Sequence, residues 1–130
     1  MLFLNFYKIN MAVHNEIGTI GEQIALKYLQ ELGYEIILTN WQYKKFEIDI
    51  IAVDNNTVVF VEVKTRTNNV FGNPEDALTI AKQKQLIEGA DYFLNEKELD
   101  MECRFDLITV IDPLGLKKLE HYENVFLHDY

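Results

Sequence analysis

Two runs of alternating residues on either side of an Asn-Asn pair constrain this chain more than any other feature. Residues 47–53 and 58–64 are rich in β-branched side chains, and in both runs polar and apolar residues largely alternate. Asparagine tolerates the positive φ that tight hairpin turns require, so the pattern predicts an antiparallel hairpin with Asn55 and Asn56 in the turn. The hairpin register then fixes which residues of the two strands face each other.

In that register two carboxylates oppose each other, because Asp49 faces Glu62 and Glu47 faces Lys64. Like charges whose Cβ atoms are roughly 5 Å apart destabilise a sheet by up to about 1 kcal/mol. A divalent cation reverses that effect, since Mg²⁺ binds through one or two carboxylates and completes its shell with water and phosphate. Asp49 and Glu62 are therefore predicted to bind Mg²⁺ or Mn²⁺, with Lys64 on the same face.

The register also predicts one buried and one charged face of the hairpin. The predicted buried face carries Ile48, Ile50, Ala52, Val59, Val61 and Val63. The other face carries the four charged residues together with Ile51 and Phe60. A plainer interpretation stays open, in which the charged face is solvated and Glu47 pairs with Lys64 for less than about 1 kcal/mol.

Two predicted helices could add charged side chains to this face. Glu22 lies at the edge of the apolar arc of the first helix, where it could be a third metal ligand or a base, although solvent exposure is the plainer expectation. Lys82 and Gln83 fall near the apolar stripe of the second helix, where they could overhang the charged end of the sheet. A lysine can equally extend out of such a stripe to solvent.

Further basic residues surround the hairpin in the sequence. Lys44 and Lys45 follow Trp41 and Tyr43, a mixture of aromatic and basic residues that could form a stacking and phosphate-binding surface. The alternative is a strand end that packs Trp41 into the core. Lys44, Lys45, Lys82 and Arg66 are the predicted nucleic-acid contacts.

Charge and cysteine content limit the classes of function. The net charge is −9, which argues against a nonspecific nucleic-acid coat. Residues 1–85 hold ten acids and eight bases, whereas residues 86–130 hold eleven acids and four bases, so the second segment could bind a basic protein partner. The single cysteine, Cys103, is predicted to be a buried small hydrophobe. With no apolar run long enough to span a membrane, the expectation is a cytoplasmic protein with no membrane association.

The chain is long enough for one domain, predicted at residues 15–130, with residues 1–14 as an N-terminal extension. Helical periodicity and Gly33 predict a first helix over residues 16–32. An Asn73 cap followed by Pro74 predicts a second helix to about residue 94. Strands are expected at residues 34–41, at the two hairpin runs, at 104–111 and at 116–127. The order α-β-β-β-α-β-β predicts an α/β sandwich with a mixed central sheet flanked by helices.

These residues together resemble the YraN-type family of small bacterial proteins, which has a restriction-endonuclease-like fold. The matching positions are Gly18, Gly21, Glu22, Ala25, Gly33, Tyr34, Asn40, Trp41, residues 47–52, residues 60–66, Lys82, Gln83, Phe105 and Asp106. That family in turn resembles the PD-(D/E)xK nuclease superfamily, which includes Holliday-junction resolvases. Two positions depart from the pattern: Ile48 stands where the superfamily name implies proline, and Phe46 replaces a usual glycine.

The resemblance implies a function and a role for each matching residue. Asp49 would be the first metal-binding acid, Glu62 and Lys64 the E-x-K signature, and Glu22 the helix-borne acid of resolvase-like members. The expected function is a Mg²⁺-dependent endonuclease of DNA, with branched or damaged DNA as candidate substrates. Two alternatives are a nucleic-acid-binding module that does not cut and a protein-interaction domain that uses residues 86–130. Whether subunits form a homodimer is left open by the sequence.

Overall fold

The computed structural model describes residues 2–67 and 74–126, with side chains described in residues 15–67 and 76–126. In chain order the elements are α1 (Leu2–Glu31), β1 (Glu35–Tyr43), β2 (Phe46–Asp54), β3 (Thr57–Arg66), α2 (Pro74–Ala77), α3 (Ile80–Glu96), β4 (Glu102–Ile111) and β5 (Lys118–Tyr122). The predicted order of helices and strands is confirmed, with the second predicted helix divided into α2 and α3.

The five strands form one mixed sheet in the order β1-β2-β3-β4-β5. All neighbouring strands are antiparallel except β3 and β4, which are parallel and joined by the crossover that contains α3. The predicted hairpin turn is confirmed between β2 and β3, because Asn55 and Asn56 adopt φ values of 47° and 68°. Positive φ at both central residues is the backbone of a type I′ turn, whose twist matches that of the flanking strands.

The sheet is covered by one helix on each face. On one face α1 packs against residues that alternate along the strands, and this core contains Ala25, Leu29, Tyr34, Ile50, Ala52, Val59, Val61, Val63, Ile108 and Val110. On the other face α2 and α3 pack against the intervening residues, and this core contains Ile48, Ile51, Val58, Phe60, Leu78, Leu86, Ala90, Phe93 and Leu107. The result is the predicted restriction-endonuclease-like α/β sandwich.

Two helix boundaries differ from the sequence-based expectation. Helix α1 begins at Leu2, not near residue 16, and no proline interrupts this part of the chain. The second predicted helix is broken before α3, where the Thr79 hydroxyl accepts a hydrogen bond from the Lys82 amide and caps a new helix. The predicted cap at Asn73 and the loop before it lie outside the described residues.

Two expectations for the C-terminal strands also need correction. Strand β5 ends at Tyr122, because Asn124 has a positive φ of 51° and its amide donates to Asp106, on the neighbouring strand, instead of extending the ladder. Cys103 is exposed near the start of β4, not buried as predicted. Among the described helices, none is long and apolar enough to cross a lipid bilayer.

Candidate metal centre

The hairpin ladder ends beside the candidate site. The predicted register is confirmed from the pair of Asp54 and Thr57 to the pair of Ile50 and Val61. Beyond that pair the Asp49 side chain takes over the role of a backbone acceptor, because its Oδ2 accepts a 2.8 Å hydrogen bond from the Val63 amide. The predicted backbone opposition of Asp49 and Glu62 is therefore replaced by a side-chain bond, and the strands no longer pair regularly there.

The alternation of faces along β2 is interrupted at the same residue. Ile48 belongs to the core under α3, whereas Ile50 belongs to the core under α1. The prediction that both lie on one face is wrong, since two residues separated by one position share a face only in a regular strand. On β1, Asn40 lies across from the interruption with a positive φ of 51°. Asp49 thus occupies an irregular position where it interacts with groups on both sides of the sheet.

Glu62 is the most unusual carboxylate of the site. It is only 6% exposed, and its Oε2 is a buried oxygen with no hydrogen-bond partner among the described residues. Its Oε1 lies 3.5 Å from Lys64 Nζ and 3.8 Å from Lys82 Nζ. Burial and the neighbouring charge of Asp49 raise the pKa of Glu62 from 4.5 to about 7, although the two lysines oppose the shift.

Asp49 and Glu62 together fit a divalent cation. Burial also raises the pKa of Asp49, against the opposing effect of the Val63 amide. Two carboxylates in mutual repulsion, one with an unused oxygen, provide the negative charge and oxygen atoms that Mg²⁺ prefers. Within residues 15–67 and 76–126, no three acidic, histidine or cysteine side chains group closely enough to enclose an ion. A divalent cation held by only two carboxylates would keep ligand positions for water and phosphate.

Helix α1 brings Glu22 to Asp49 from the other side of the sheet. At Gly21 a Cβ atom would lie 1.9 Å from Thr65 Oγ1, so glycine is what allows α1 to approach β3 this closely. Burial and the charge of Asp49 raise the pKa of Glu22, and a hydrogen bond with Asn40 opposes the shift. A cleft of about 240 Å³ between the helix and the sheet is lined by Thr19, Glu22, Gln23, Leu26, Thr39, Asn40, Asp49 and Ile50.

Lys64 and Lys82 both lie near Glu62, but the ion pair considered between Glu47 and Lys64 does not form. Lys64 pairs with Glu62, whereas Glu47 accepts a 2.7 Å hydrogen bond from Gln42. The plainer interpretation with a Glu47–Lys64 pair is therefore wrong. Lys82 overhangs the charged end of the sheet as expected from its helical position.

The remaining predicted phosphate contacts occupy the surface around this centre. Lys45 is exposed and lines a second cleft together with Lys82. Lys44 lies in the β1–β2 turn with its Nζ 5.4 Å from the centre of the Tyr43 ring. Arg66 is exposed at the end of β3 and donates from Nη1 to the Thr65 carbonyl at 2.9 Å. Trp41 packs against the core under α3, as the plainer interpretation of that segment predicted.

A buried polar network on the α1 face was only partly visible in the sequence. Asp106 accepts hydrogen bonds from Arg104 Nε at 3.1 Å and from the Asn124 amide at 3.0 Å, and it lies 2.8 Å from His121 Nε2. Burial alone would raise the pKa of Asp106, but the bonds from His121 and Arg104 hold it below its usual range. Arg104 is a local partner two residues away on β4, whereas His121 lies on β5 and no sequence signal pointed to it.

Two polar residues near the centre were also missed. Asn40 is bonded to Glu22 and lines the cleft with Asp49, and its only sequence signal was the matching Asn-Trp pair. Gln85 donates from Nε2 to the Lys45 carbonyl and so connects α3 with the β1–β2 turn. A glutamine one turn after Lys82 carried no such signal by itself.

Comparisons with known proteins identify the relatives of this chain. The profile described as "Uncharacterised protein family UPF0102" matches residues 21–110, which include Glu22, Asp49, Glu62, Lys64 and Lys82. A UPF0102 protein of Flavobacterium psychrophilum is 43% identical over 118 residues, which cover 91% of this chain and 99% of that protein. A UPF0102 protein of Bacteroides thetaiotaomicron is 43% identical over 116 residues, which cover 89% and 96% of the two chains. The chain therefore belongs to UPF0102, the YraN-type family that its motifs predicted.

Proposed function

We propose that this protein is a divalent-metal-dependent endonuclease that cleaves phosphodiester bonds in DNA, with branched or damaged DNA as candidate substrates. The observation that carries the proposal is the buried Glu62 carboxylate, which has an unpartnered oxygen and lies beside the negative charge of Asp49. Burying two interacting carboxylates costs folding free energy. A bound cation would offset that cost by neutralising the charge of the two carboxylates.

Asp49 and Glu62 would hold the ion, which is Mg²⁺ or Mn²⁺ by its oxygen ligands. When bound, the ion supplies an activated water and neutralises charge on the scissile phosphate. The Val63 amide fixes the orientation of the Asp49 carboxylate, so the ligand is held in place before the ion arrives. Glu22 lies near Asp49 on the α1 side, where it could hold a second ion or accept a proton.

Lys64 is the residue best placed to act on the reacting phosphate. Its Nζ is within 3.5 Å of Glu62, and its side chain is 27% exposed, so it reaches both the buried carboxylate and the surface. A lysine ammonium so placed stabilises the negative charge that develops in phosphodiester hydrolysis. Lys82 reaches the same carboxylate from α3 and would hold the substrate phosphate beside it.

A cleavage assay tests the proposal. Wild-type protein would be incubated with branched, nicked and linear DNA in Mg²⁺ or Mn²⁺, and compared with Glu62→Ala, Lys64→Ala and the control Lys27→Ala. Lys27 is exposed on α1 and is the same type of residue away from the site. We expect cleavage by wild type and the control, and none by the other two variants when all four are folded. Activity that survives in both site variants would refute the assignment.

One observation also favours a second candidate, a nucleic-acid-binding module that does not cut. Lys64 and Lys82 both lie within 4 Å of Glu62, so ion pairs already compensate part of its charge without a cation. Such a module would bind nucleic acid without metal, in a salt-dependent manner, and would release no product from any substrate. A third candidate, a protein-interaction domain using the acidic residues 86–130, would bind no nucleic acid in the same experiments.

A further inference from the structure

We infer that the cleft between the β1–β2 turn and the first turns of α3 holds a short stretch of a single nucleic-acid strand by its phosphates and leads it to Glu62. The inference rests on the proposed function and adds to it the path, the length and the kind of substrate contact. In this arrangement Lys84 contacts a phosphate of the substrate, and Gln85 positions the β1–β2 turn.

The cleft has a basic lining on one face of α3. It has a volume of about 510 Å³ and is lined by Lys45, Ala81, Lys82, Lys84, Gln85 and Glu88. Ala81, Lys84, Gln85 and Glu88 recur at the spacing of one helical face, so they form one wall of the cleft. Lys45 contributes the opposite wall from the turn. Three lysines therefore surround a space large enough for a phosphodiester chain.

Two contacts hold the walls of the cleft together. The Gln85 side chain donates from Nε2 to the Lys45 carbonyl, which fixes the turn on the helix. At Gly89 a Cβ atom would lie 3.1 Å from Phe46 Cβ, so the absence of a side chain lets α3 lie close to β2. The cleft is thus built from secondary-structure elements in fixed contact, and its lysines are positioned before a ligand arrives.

Lys82 connects the cleft with the candidate metal centre. It lines the cleft, and its Nζ lies 3.8 Å from Glu62 Oε1. A phosphate bound by Lys82 therefore lies beside the carboxylate that would hold the ion. The neighbouring lysines Lys45 and Lys84 would hold the adjacent phosphates of the same strand.

The aromatic residues nearby are already engaged within the protein. The Tyr43 ring stacks on Tyr92 with centroids 3.9 Å apart and an angle of 9° between the planes. Lys44 Nζ also lies over Tyr43. Trp41 packs into the core. We therefore expect contacts with phosphates and not base stacking, and hence little preference for base sequence.

The charge of α3 limits the length of strand that the cleft accepts. Beyond Lys84 the helix turns acidic, because Glu88, Asp91 and Glu96 line the next surface depression. Glu88 is six positions after Lys82, a distance of about 9 Å along the helix axis. With one phosphate held by each of the three lysines, the basic part accommodates about three phosphates at most. A strand end or a displaced single strand fits this limit better than a long duplex.

Binding measurements test the cleft separately from the metal centre. Fluorescence anisotropy of a labelled 12-nucleotide single strand, in chelator so that nothing is cut, would compare wild type with Lys84→Glu, Lys45→Glu and the control Lys27→Glu. All three variants change the net charge equally, and Lys27 is exposed on α1. We expect roughly tenfold weaker binding for the two cleft variants and less than about twofold for the control. For wild type, three phosphate contacts predict a slope of log affinity against log salt of about −2.

Gln85→Ala separates positioning from charge. It removes the bond to the turn but no charge, so we expect weaker binding with an unchanged salt slope. Equal loss in the Lys27 control, a slope steeper than about −5, or wild-type affinity in both cleft variants would overturn the cleft assignment.

Metal-dependent cleavage without any effect of the cleft variants would overturn the cleft and leave the endonuclease proposal intact. Strand binding with the expected variant pattern, but no metal binding or cleavage, would support the cleft and refute the endonuclease proposal. The binding and cleavage measurements therefore test the cleft and the metal centre separately.

Discussion

Replacing Glu62 by glutamine should stabilise the metal-free protein above pH 7, although it removes a charge that lies near two lysines. Glu62 is 6% exposed and its pKa is raised from 4.5 to about 7 through burial and the charge of Asp49. A shift of that size corresponds to about 3 kcal/mol of unfavourable free energy for the ionised form in the folded state. Glutamine keeps the shape of the side chain and carries no charge at any pH.

The sign of the pH dependence follows from the two pKa values. Below about pH 4.5 the carboxyl is protonated in both states and contributes no difference. Between pH 4.5 and 7 the folded protein keeps the proton that the unfolded chain has released, so stability falls as pH rises. Above pH 7 the loss is complete. Wild type and Glu62→Gln should therefore be similarly stable near pH 4.5 and differ by up to about 3 kcal/mol at pH 8.

Urea unfolding in chelator at pH 5 and pH 8 measures this difference. Glu102→Gln is the matched control, because Glu102 is exposed on the neighbouring strand and pairs with Thr57, five residues before Glu62 on β3. The control should follow wild type at both pH values. A Glu62→Gln variant that is less stable than wild type at pH 8 would contradict this prediction and show that the ion pairs with Lys64 and Lys82 outweigh burial.

Three further substitutions test the scaffold of the site by urea or thermal unfolding. Asp106→Asn should cost roughly 1–3 kcal/mol, because it weakens the charged hydrogen bonds with Arg104 and His121, while Asp54 still pairs with Arg104. Wild-type stability should also fall as pH drops below about 4, where the depressed pKa of Asp106 no longer favours folding. A variant within about 0.5 kcal/mol of wild type would contradict this. Gly21→Ala should cost about 1–3 kcal/mol through its clash with Thr65, and Thr65→Ala should recover part of the loss; no recovery would place the strain elsewhere. Asn56→Ala should cost about 1–2 kcal/mol at its φ of 68°, whereas Asn56→Gly should not; equal losses would exclude backbone strain as the cause.

The local part of the site could be predicted because short-range rules determine it. An Asn-Asn pair between β-branched runs specifies a type I′ turn, and the turn specifies the register as far as the pair of Ile50 and Val61. Glu62 and Lys64 are two residues apart in a strand and so point to the same side, where they form an ion pair. The turn, the register and this ion pair all depend on residues that are close together in the sequence.

The position of Asp49 could not be predicted because it depends on contacts distant in sequence. Its carboxylate replaces a backbone acceptor for Val63, and Asn40 on β1 lies across from it in a left-handed conformation. The register between β1 and β2 also shifts between Ile36 and Leu38. The alternation of residues along β2 alone indicates none of these contacts with β1 and β3.

The division of the second helix was missed because one start signal concealed another. Asn73, Pro74 and the acids that follow form a strong helix start by capping and dipole arguments. Thr79 is a weaker signal in the sequence, but its hydroxyl caps α3 and so sets the position of Lys82. The cap at Thr79 therefore determines how the lysine reaches Glu62.

Calorimetric titration of Mn²⁺ into the protein determines whether Asp49 and Glu62 share a divalent cation. We expect a saturable heat at pH 7.5 for wild type and for the control Glu102→Gln, and no such heat for Asp49→Asn or Glu62→Gln. Unfolding curves of the same samples would establish that all four are folded. Saturable Mn²⁺ binding that persists in both site variants, or that is absent from folded wild type, would show that Asp49 and Glu62 do not share a cation.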